Sequence, residues 1–288
     1  MIKYSTIIHL RFPFSVFLLP IYLFALSESP KASFENAILV FIVLHILVYP
    51  ASNGFNSYFD KDEGSIGGIR TPPKVSRQLY LAALLMDAAG LLLAFYIGWL
   101  FGIGILIYGL ASKAYSHPMI RLKKYPVTGW LTIGIFQGFL IYLFSFQAMS
   151  ELSFHETIST GWQPAILSTV LLLGSYPMTQ IYQHEEDTRR GDITLSYKLG
   201  ILGTFHFTAT FFGVSTLGFM TFFLHNYTSV LALLFLGFML PIVFYFGWWY
   251  LKVRKNPEKA DYYHTMNLNI ISSIALSLFF LLSYSYWM

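Results

Sequence analysis

"AILVFIVLHILVYPASNGFNSYFDKDEG", residues 37–64, decides how this chain is read. From Ala37 to Phe55 it contains no Asp, Glu, Lys or Arg, and then Asp60, Lys61, Asp62 and Glu63 crowd together at its end. An apolar run of about 17 to 25 residues is what a membrane-spanning helix requires. The charges mark the point where the chain meets water. Similar apolar runs recur at 7–26, 37–56, 79–97, 99–115, 129–149, 164–183, 201–223, 229–251 and 267–287, which predicts an all-α membrane protein with nine transmembrane helices in one bundle. Across all 288 residues, 56% are hydrophobic and 11% charged, against roughly one quarter charged in a soluble domain. The chain is expected to form a single domain over 1–288.

The basic residues orient the bundle. With the N-terminus in the cytoplasm, all but one of the 18 Lys and Arg residues fall on the cytoplasmic side, and Lys31 is the exception. By the positive-inside rule this predicts N-terminus in, C-terminus out, with cytoplasmic segments at 56–78, 113–128 and 183–200. The net charge of +4 is spent on orientation, so nucleic acid is not the expected partner. With no cysteine, disulfides, thiolate metal sites and thiol nucleophiles are excluded. The first apolar run, with Ala25 and Ser27 near its end, resembles a signal peptide but is read as a retained span.

A second polar cluster, "QHEEDTRRG" at 183–191, repeats the frame of the first. Asn56, Asp60 and Gly64 align with Gln183, Asp187 and Gly191: an amide, a carboxylate four residues on, and a glycine four beyond. Helical i, i+4 spacing puts amide and carboxylate on one face, and a glycine suits a left-handed helix cap. Both clusters lie at the same end of the bundle. Converging oxygen ligands beside basic residues suit Mg²⁺, which takes one or two carboxylates and completes its shell with substrate phosphate oxygens. Asp60 and Asp187 are the expected catalytic pair, and Asn56, Asp60, Glu63, Gln183 and Asp187 the expected metal-diphosphate ligands. Arg70, Arg121 and Lys123 are candidates for holding the diphosphate.

These segments resemble the UbiA-type intramembrane prenyltransferases, nine-helix proteins with acidic motifs after helices 2 and 6. The resemblance rests on "LRFPFSVFLLP" near the start, on Asn56 and Asp60, on "YSHPMIRLKKYPVTG" at 115–129 and on "EEDTRRGDITLSYKLG" at 185–200. It implies an allylic prenyl diphosphate donor, Mg²⁺ as cofactor and an aromatic acceptor, phenolic or a quinone precursor, at a cytoplasmic-side site in a bacterial inner membrane surrounded by lipid. The chain departs from the family pattern at three places. Gly64 and Gln183 stand where the family has aspartates, and Met119 where it has a lysine. Asp62, Glu63, Glu185 and Glu186 lie near enough to substitute, with Glu63 expected on nearly the same helical face as Asp60.

Other residues admit plainer readings. Tyr49, Phe55, Tyr58, Tyr176 and Tyr182 lie near the motifs and could face an allylic cation, but rings also populate membrane interfaces. Asp87 inside the third span must face the bundle or an aqueous cavity. The glycines of "GIFQG", 134–138, predict close helix packing. Two alternatives to a prenyltransferase stay open: a family member that binds isoprenoid diphosphate without catalysis, and a transporter, whose polar residues should instead cross the membrane.

Overall fold

A computed structural model describes residues 3–29 and 32–287, with side chains through residue 285. Lys31 and Met288, both expected on the outer side, lie outside the described residues. All the regular secondary structure described is helical, apart from one bridge between Ile66 and Ile69. The long helices are α1 (Tyr4–Glu28), α2 (Phe34–Asp60), α3 (Arg77–Ile97), α4 (Trp99–Ser116), α5 (Pro126–Ser150), α6 (Phe154–Ser175), α7 (Leu195–Asn226), α8 (Ser229–Lys255) and α9 (Tyr262–Trp287). Among the described residues, seven are long and apolar enough to cross a membrane: all of these except α4 and α6. Neighbours in sequence pack in turn from α2 to α9, and α1 closes the ring against α9 and α5.

The core away from the acidic motifs is aromatic. Phe24 stacks on Phe280 at 4.6 Å and packs beside Phe219 and Tyr142. Phe279 joins Phe223 and Phe235 edge-on. Such pairs add about 0.5–1.5 kcal/mol each beyond the area they bury.

Prolines and glycines shape the half that carries the motifs. Pro50 has no N–H to give back, and the α2 backbone just before it widens into a π-helical stretch, Ile42–Val48. A second π stretch, Gly134–Leu140, interrupts α5. There a Cβ on Gly138 would sit 2.7 Å from the Thr169 Cα, so the close packing expected of "GIFQG" is realised against α6.

The sixth apolar run is corrected most. The helix occupies Phe154–Ser175, not 164–183, and a 3₁₀ turn, Tyr176–Gln180, follows it. Pro177 cannot donate to the Leu173 carbonyl, which takes the Trp130 indole N–H instead, at 2.8 Å. Gln183 therefore caps a separate short helix, His184–Arg189, rather than riding on the end of α6. The predicted cap after α2 is corrected as well. That helix ends at Asp60 with Lys61 in the left-handed conformation, at φ 51°, and Gly64 lies beyond it. In the second motif the glycine does take that role, with Gly191 at φ +77° after the short helix.

Asp87 faces α4 inside the bundle. It forms an ion pair with Lys113 of α4, and the Lys113 ammonium sits 4.7 Å from the centre of the Phe55 ring. Pairing removes most of the cost of a lone charge at this depth.

Candidate active site

The bends in α2, α5 and the chain after α6 surround a cavity of about 250 Å³. Its inner wall is mostly apolar and aromatic, with Phe14, Phe17, Leu18, Tyr49, Tyr108, Ile133 and Leu172. Charged groups gather at its other end, supplied by α2 and by the loops after α2, α4 and α6.

Asp60, on the last turn of α2, is almost fully enclosed and pairs with Lys123. Arg121 approaches the same carboxylate at 3.4 Å. Lys123 also donates to the Asn56 Oδ1 at 3.2 Å, and Ser116 donates to that oxygen at 2.7 Å. Asn56 and Asp60 thus share one face of α2, as i, i+4 spacing requires. On the other side, Arg190 pairs with Asp62 and reaches Asp187 at 3.3 Å. Asp192, buried at 1% exposure, takes a two-pronged bond from Arg121, at 2.7 Å and 2.8 Å. This fork geometry is the strongest pairing an arginine makes with a carboxylate. Arg11 from α1 enters the wall, donating to the Asn53 and Gly67 carbonyls at 3.2 Å and 3.4 Å.

Burial governs the titration of these groups. It pushes Asp187 up to about 7, with the Arg190 and Lys123 charges pulling the other way. Burial and then the neighbouring Asp60 charge also raise Asp62, against the pull of Arg190. Burial alone would lower Arg121 and Arg190. Their carboxylate partners, Asp192 and Asp62 first among them, outweigh it and raise both.

Of the residues singled out from the sequence, Asn56, Asp60, Lys123, Gln183 and Asp187 line the cavity, and Arg121 stands behind its wall on Asp60 and Asp192. Two do not join them. Glu63 lies past the end of α2, exposed, so the shared face with Asp60 does not form. Arg70 is exposed on the following loop, its guanidinium 4.9 Å from the centre of the Tyr263 ring. The cavity also gathers Arg11, Asp62, Arg190 and Asp192, to which the sequence assigned no primary role. Asp192 was legible only as a lone acid following Gly191 in a basic stretch; nothing in its spacing announced Arg121 as partner. Of the nearby rings, Tyr49, Tyr176 and Tyr182 line the cavity, while Phe55 and Tyr58 pack with Tyr80 outside it.

The chain matches the model of the UbiA prenyltransferase family over residues 16–272, which takes in every charged group just described except Arg11. It belongs to that family. Among solved structures, this UbiA family member is similar to a UbiA homologue from Archaeoglobus fulgidus bound to GPP and Mg²⁺, at 19% identity, with 98% of this chain and 99% of that one covered and a TM-score of 0.67. The same homologue bound to DMAPP and Mg²⁺ aligns at 18% identity, covering 98% and 99%, with a TM-score of 0.67. An apo UbiA homologue from Aeropyrum pernix K1 aligns at 17% identity over 93% and 97% of the chains, with a TM-score of 0.66. Comparison with curated proteins finds no match.

Proposed function

We propose that this protein transfers an isoprenoid chain from an allylic prenyl diphosphate to an aromatic acceptor, phenolic or a quinone precursor, in a Mg²⁺-dependent reaction. The observation that carries this reading is the arrangement of the cavity: interleaved carboxylates and cations at one end, an apolar aromatic chamber at the other. A prenyl diphosphate has the same two-part character. Separate structures from Archaeoglobus hold GPP with Mg²⁺ and DMAPP with Mg²⁺, which supports the same donor class here.

The donor set fits the metal under one condition. Among the described residues no three His, Cys, Asp or Glu side chains cluster as a preformed cation cage. Asp60 and Asp187 both line the cavity, and two carboxylates suit a cation that receives the rest of its shell from diphosphate. When bound, Mg²⁺ would supply positive charge against the diphosphate oxygens as they take up the leaving electron pair.

The chain's own residues do the rest. Lys123 and Arg190 are placed to exchange their carboxylates for diphosphate oxygens and to stabilise charge as the C–O bond breaks. The Tyr49 and Tyr108 rings line the chamber, where aromatic rings can stabilise an allylic cation. The apolar wall keeps water from capturing that cation before the acceptor carbon does. The reading also includes a single domain over 1–288, nine spans with α4 and α6 crossing, and a bacterial inner membrane with the charged end of the cavity facing the cytoplasm, an orientation the distribution of basic residues supports. The test is Mg²⁺-dependent turnover of radiolabelled prenyl diphosphates of several lengths with a panel of phenolic and naphthoic acceptors in nanodiscs. Diphosphate release without transfer, or binding without release, would overturn it.

A further inference from the structure

One carboxylate near the site is spent on backbone rather than on charge. Glu186 turns its side chain onto the loop after α2, where Oε1 accepts from the Glu63 N–H at 2.8 Å and Oε2 from the Gly64 N–H at 3.1 Å. Both oxygens are engaged, so neither points at the cavity, and Glu186 is absent from its wall. Glycine at 64 gives this contact its room: a Cβ there would lie 2.4 Å from the Glu186 Oε2, so the carboxylate would have to shift off the loop. An aspartate at 64 would add a like charge to that collision.

Glu186 is not alone. Gln183, Glu186, Asp187 and Arg190, at i, i+3, i+4 and i+7, run the length of the short helix from the residue before it to the residue after it. The first donates its amide to the Ser65 carbonyl at 3.0 Å, and the last pairs with Asp62 and reaches the Asp60 carbonyl at 3.4 Å. The short helix is therefore applied along the loop 60–65. Asp187 sits in the middle of it, turned to the cavity.

We propose that Glu186 is a positioning residue, and that it and Gly64 form a clamp holding the two acidic segments at the spacing a diphosphate needs. The two positions where this chain departs from the aspartates of the resemblance, Gly64 and Gln183, both serve the clamp. This consequence for catalysis rests on the prenyl-diphosphate reading; the clamp itself does not. Charge-assisted bonds to two backbone N–H groups pre-order the loop carrying Asp60 and Asp62, so the cost of ordering it is not charged to substrate binding.

The test uses the full chain in nanodiscs with two independent readouts. Glu186→Ala should raise the donor KM about tenfold with kcat little changed, and Glu186→Gln, which keeps one acceptor oxygen but loses the charge and turns an NH₂ toward the second N–H, should fall between that variant and wild type. Gly64→Ala should reproduce Glu186→Ala by expelling the carboxylate, and should add nothing in a Glu186→Ala background. Hydrogen exchange of residues 61–66 should accelerate in Glu186→Ala and Gly64→Ala alike, with or without turnover, so the clamp is measured even if no donor reacts. Additive effects of the two substitutions, or unchanged exchange in Glu186→Ala, would overturn the clamp. Accelerated exchange with no turnover on any donor would leave it standing and count against the prenyltransferase reading instead.

Discussion

Substrate binding and fold stability should respond to pH in opposite directions, and Asp187 is the reason. Burial pushes its carboxyl up to about 7. At pH 6 about one tenth of the molecules then carry it ionised, and at pH 8 about nine tenths. A cation held partly by this carboxylate needs the ionised form, so Mg²⁺-pyrophosphate should bind roughly tenfold more weakly at pH 6 than at pH 8. The ligand gains a proton over the same range, with a phosphate pKa near about 6, so the profile alone is not diagnostic. Asp187→Asn removes the protein's share and leaves the ligand's. Calorimetric titration of wild type and Asp187→Asn with Mg²⁺-pyrophosphate at pH 6, 7 and 8 should therefore give a tenfold difference in slope between the two proteins.

Stability runs the other way. The folded pKa lies above the unfolded value of about 3.8, so the folded state holds a proton that the unfolded chain has already lost. The stabilisation is full below about 3.8 and disappears as pH rises through about 7, with roughly 1 kcal/mol of that loss falling between pH 6 and pH 8. Ligand-free wild type should melt lower at pH 8 than at pH 6, and Asp187→Asn should lose most of that slope. Parallel binding profiles in the two proteins would refute the argument, because they would mean that Asp187 does not titrate at the site.

Further expectations follow from the same geometry. Asp60→Ala and Asp187→Ala should each lower turnover at least about a hundredfold while the protein still folds, with Asp261→Ala, which caps the start of α9, near wild type in activity. Lys113→Met should strand the Asp87 charge inside the bundle and cost about 2.5–3.5 kcal/mol, read as lost thermal stability and yield, and Lys113→Met with Asp87→Leu should recover much of it. A cysteine at position 74, exposed on the loop after α2, should resist an impermeant reagent added outside intact cells, and labelling there would invert the topology.

Hydropathy made most of the fold legible because a spanning helix is defined by length and apolarity, both properties of a local window. It could not see where a helix breaks inside an apolar run. The run 164–183 is continuous in apolarity, yet Pro177 ends the regular helix. What makes the break tolerable is a distant side chain, Trp130, that satisfies the carbonyl left over. The same blindness hid the end of α2. Lys61, not Gly64, takes the left-handed turn, which moved Glu63 off the face it was expected to share with Asp60.

The site was legible where residues of one helix face act together and illegible where pairing crosses loops. Asn56 with Asp60 is a periodicity statement, and it holds. Asp62 with Arg190 and Asp192 with Arg121 join residues whose sequence separation carries no period, so only the fold brings them together.

Those cross-loop pairs bear on how the site would be loaded. Asp60, Asp62, Asp187 and Asp192 are balanced at the cavity by Arg11, Arg121, Lys123 and Arg190, so the ligand-free charges nearly cancel. A diphosphate entering alone would draw Lys123 and Arg190 away from Asp60 and Asp62, leaving Asp60 with the longer Arg121 contact at 3.4 Å and Asp62 without its ion pair. A divalent cation entering alone would compete with those same two cations for carboxylate oxygens. Each ligand therefore meets a cost that the other removes, since the cation covers the carboxylates that the diphosphate exposes. On the proposed reading, metal and diphosphate must bind with positive coupling, each strengthening the other by the same factor. A site built this way holds neither ligand firmly on its own, and its carboxylates need not form a cage in advance.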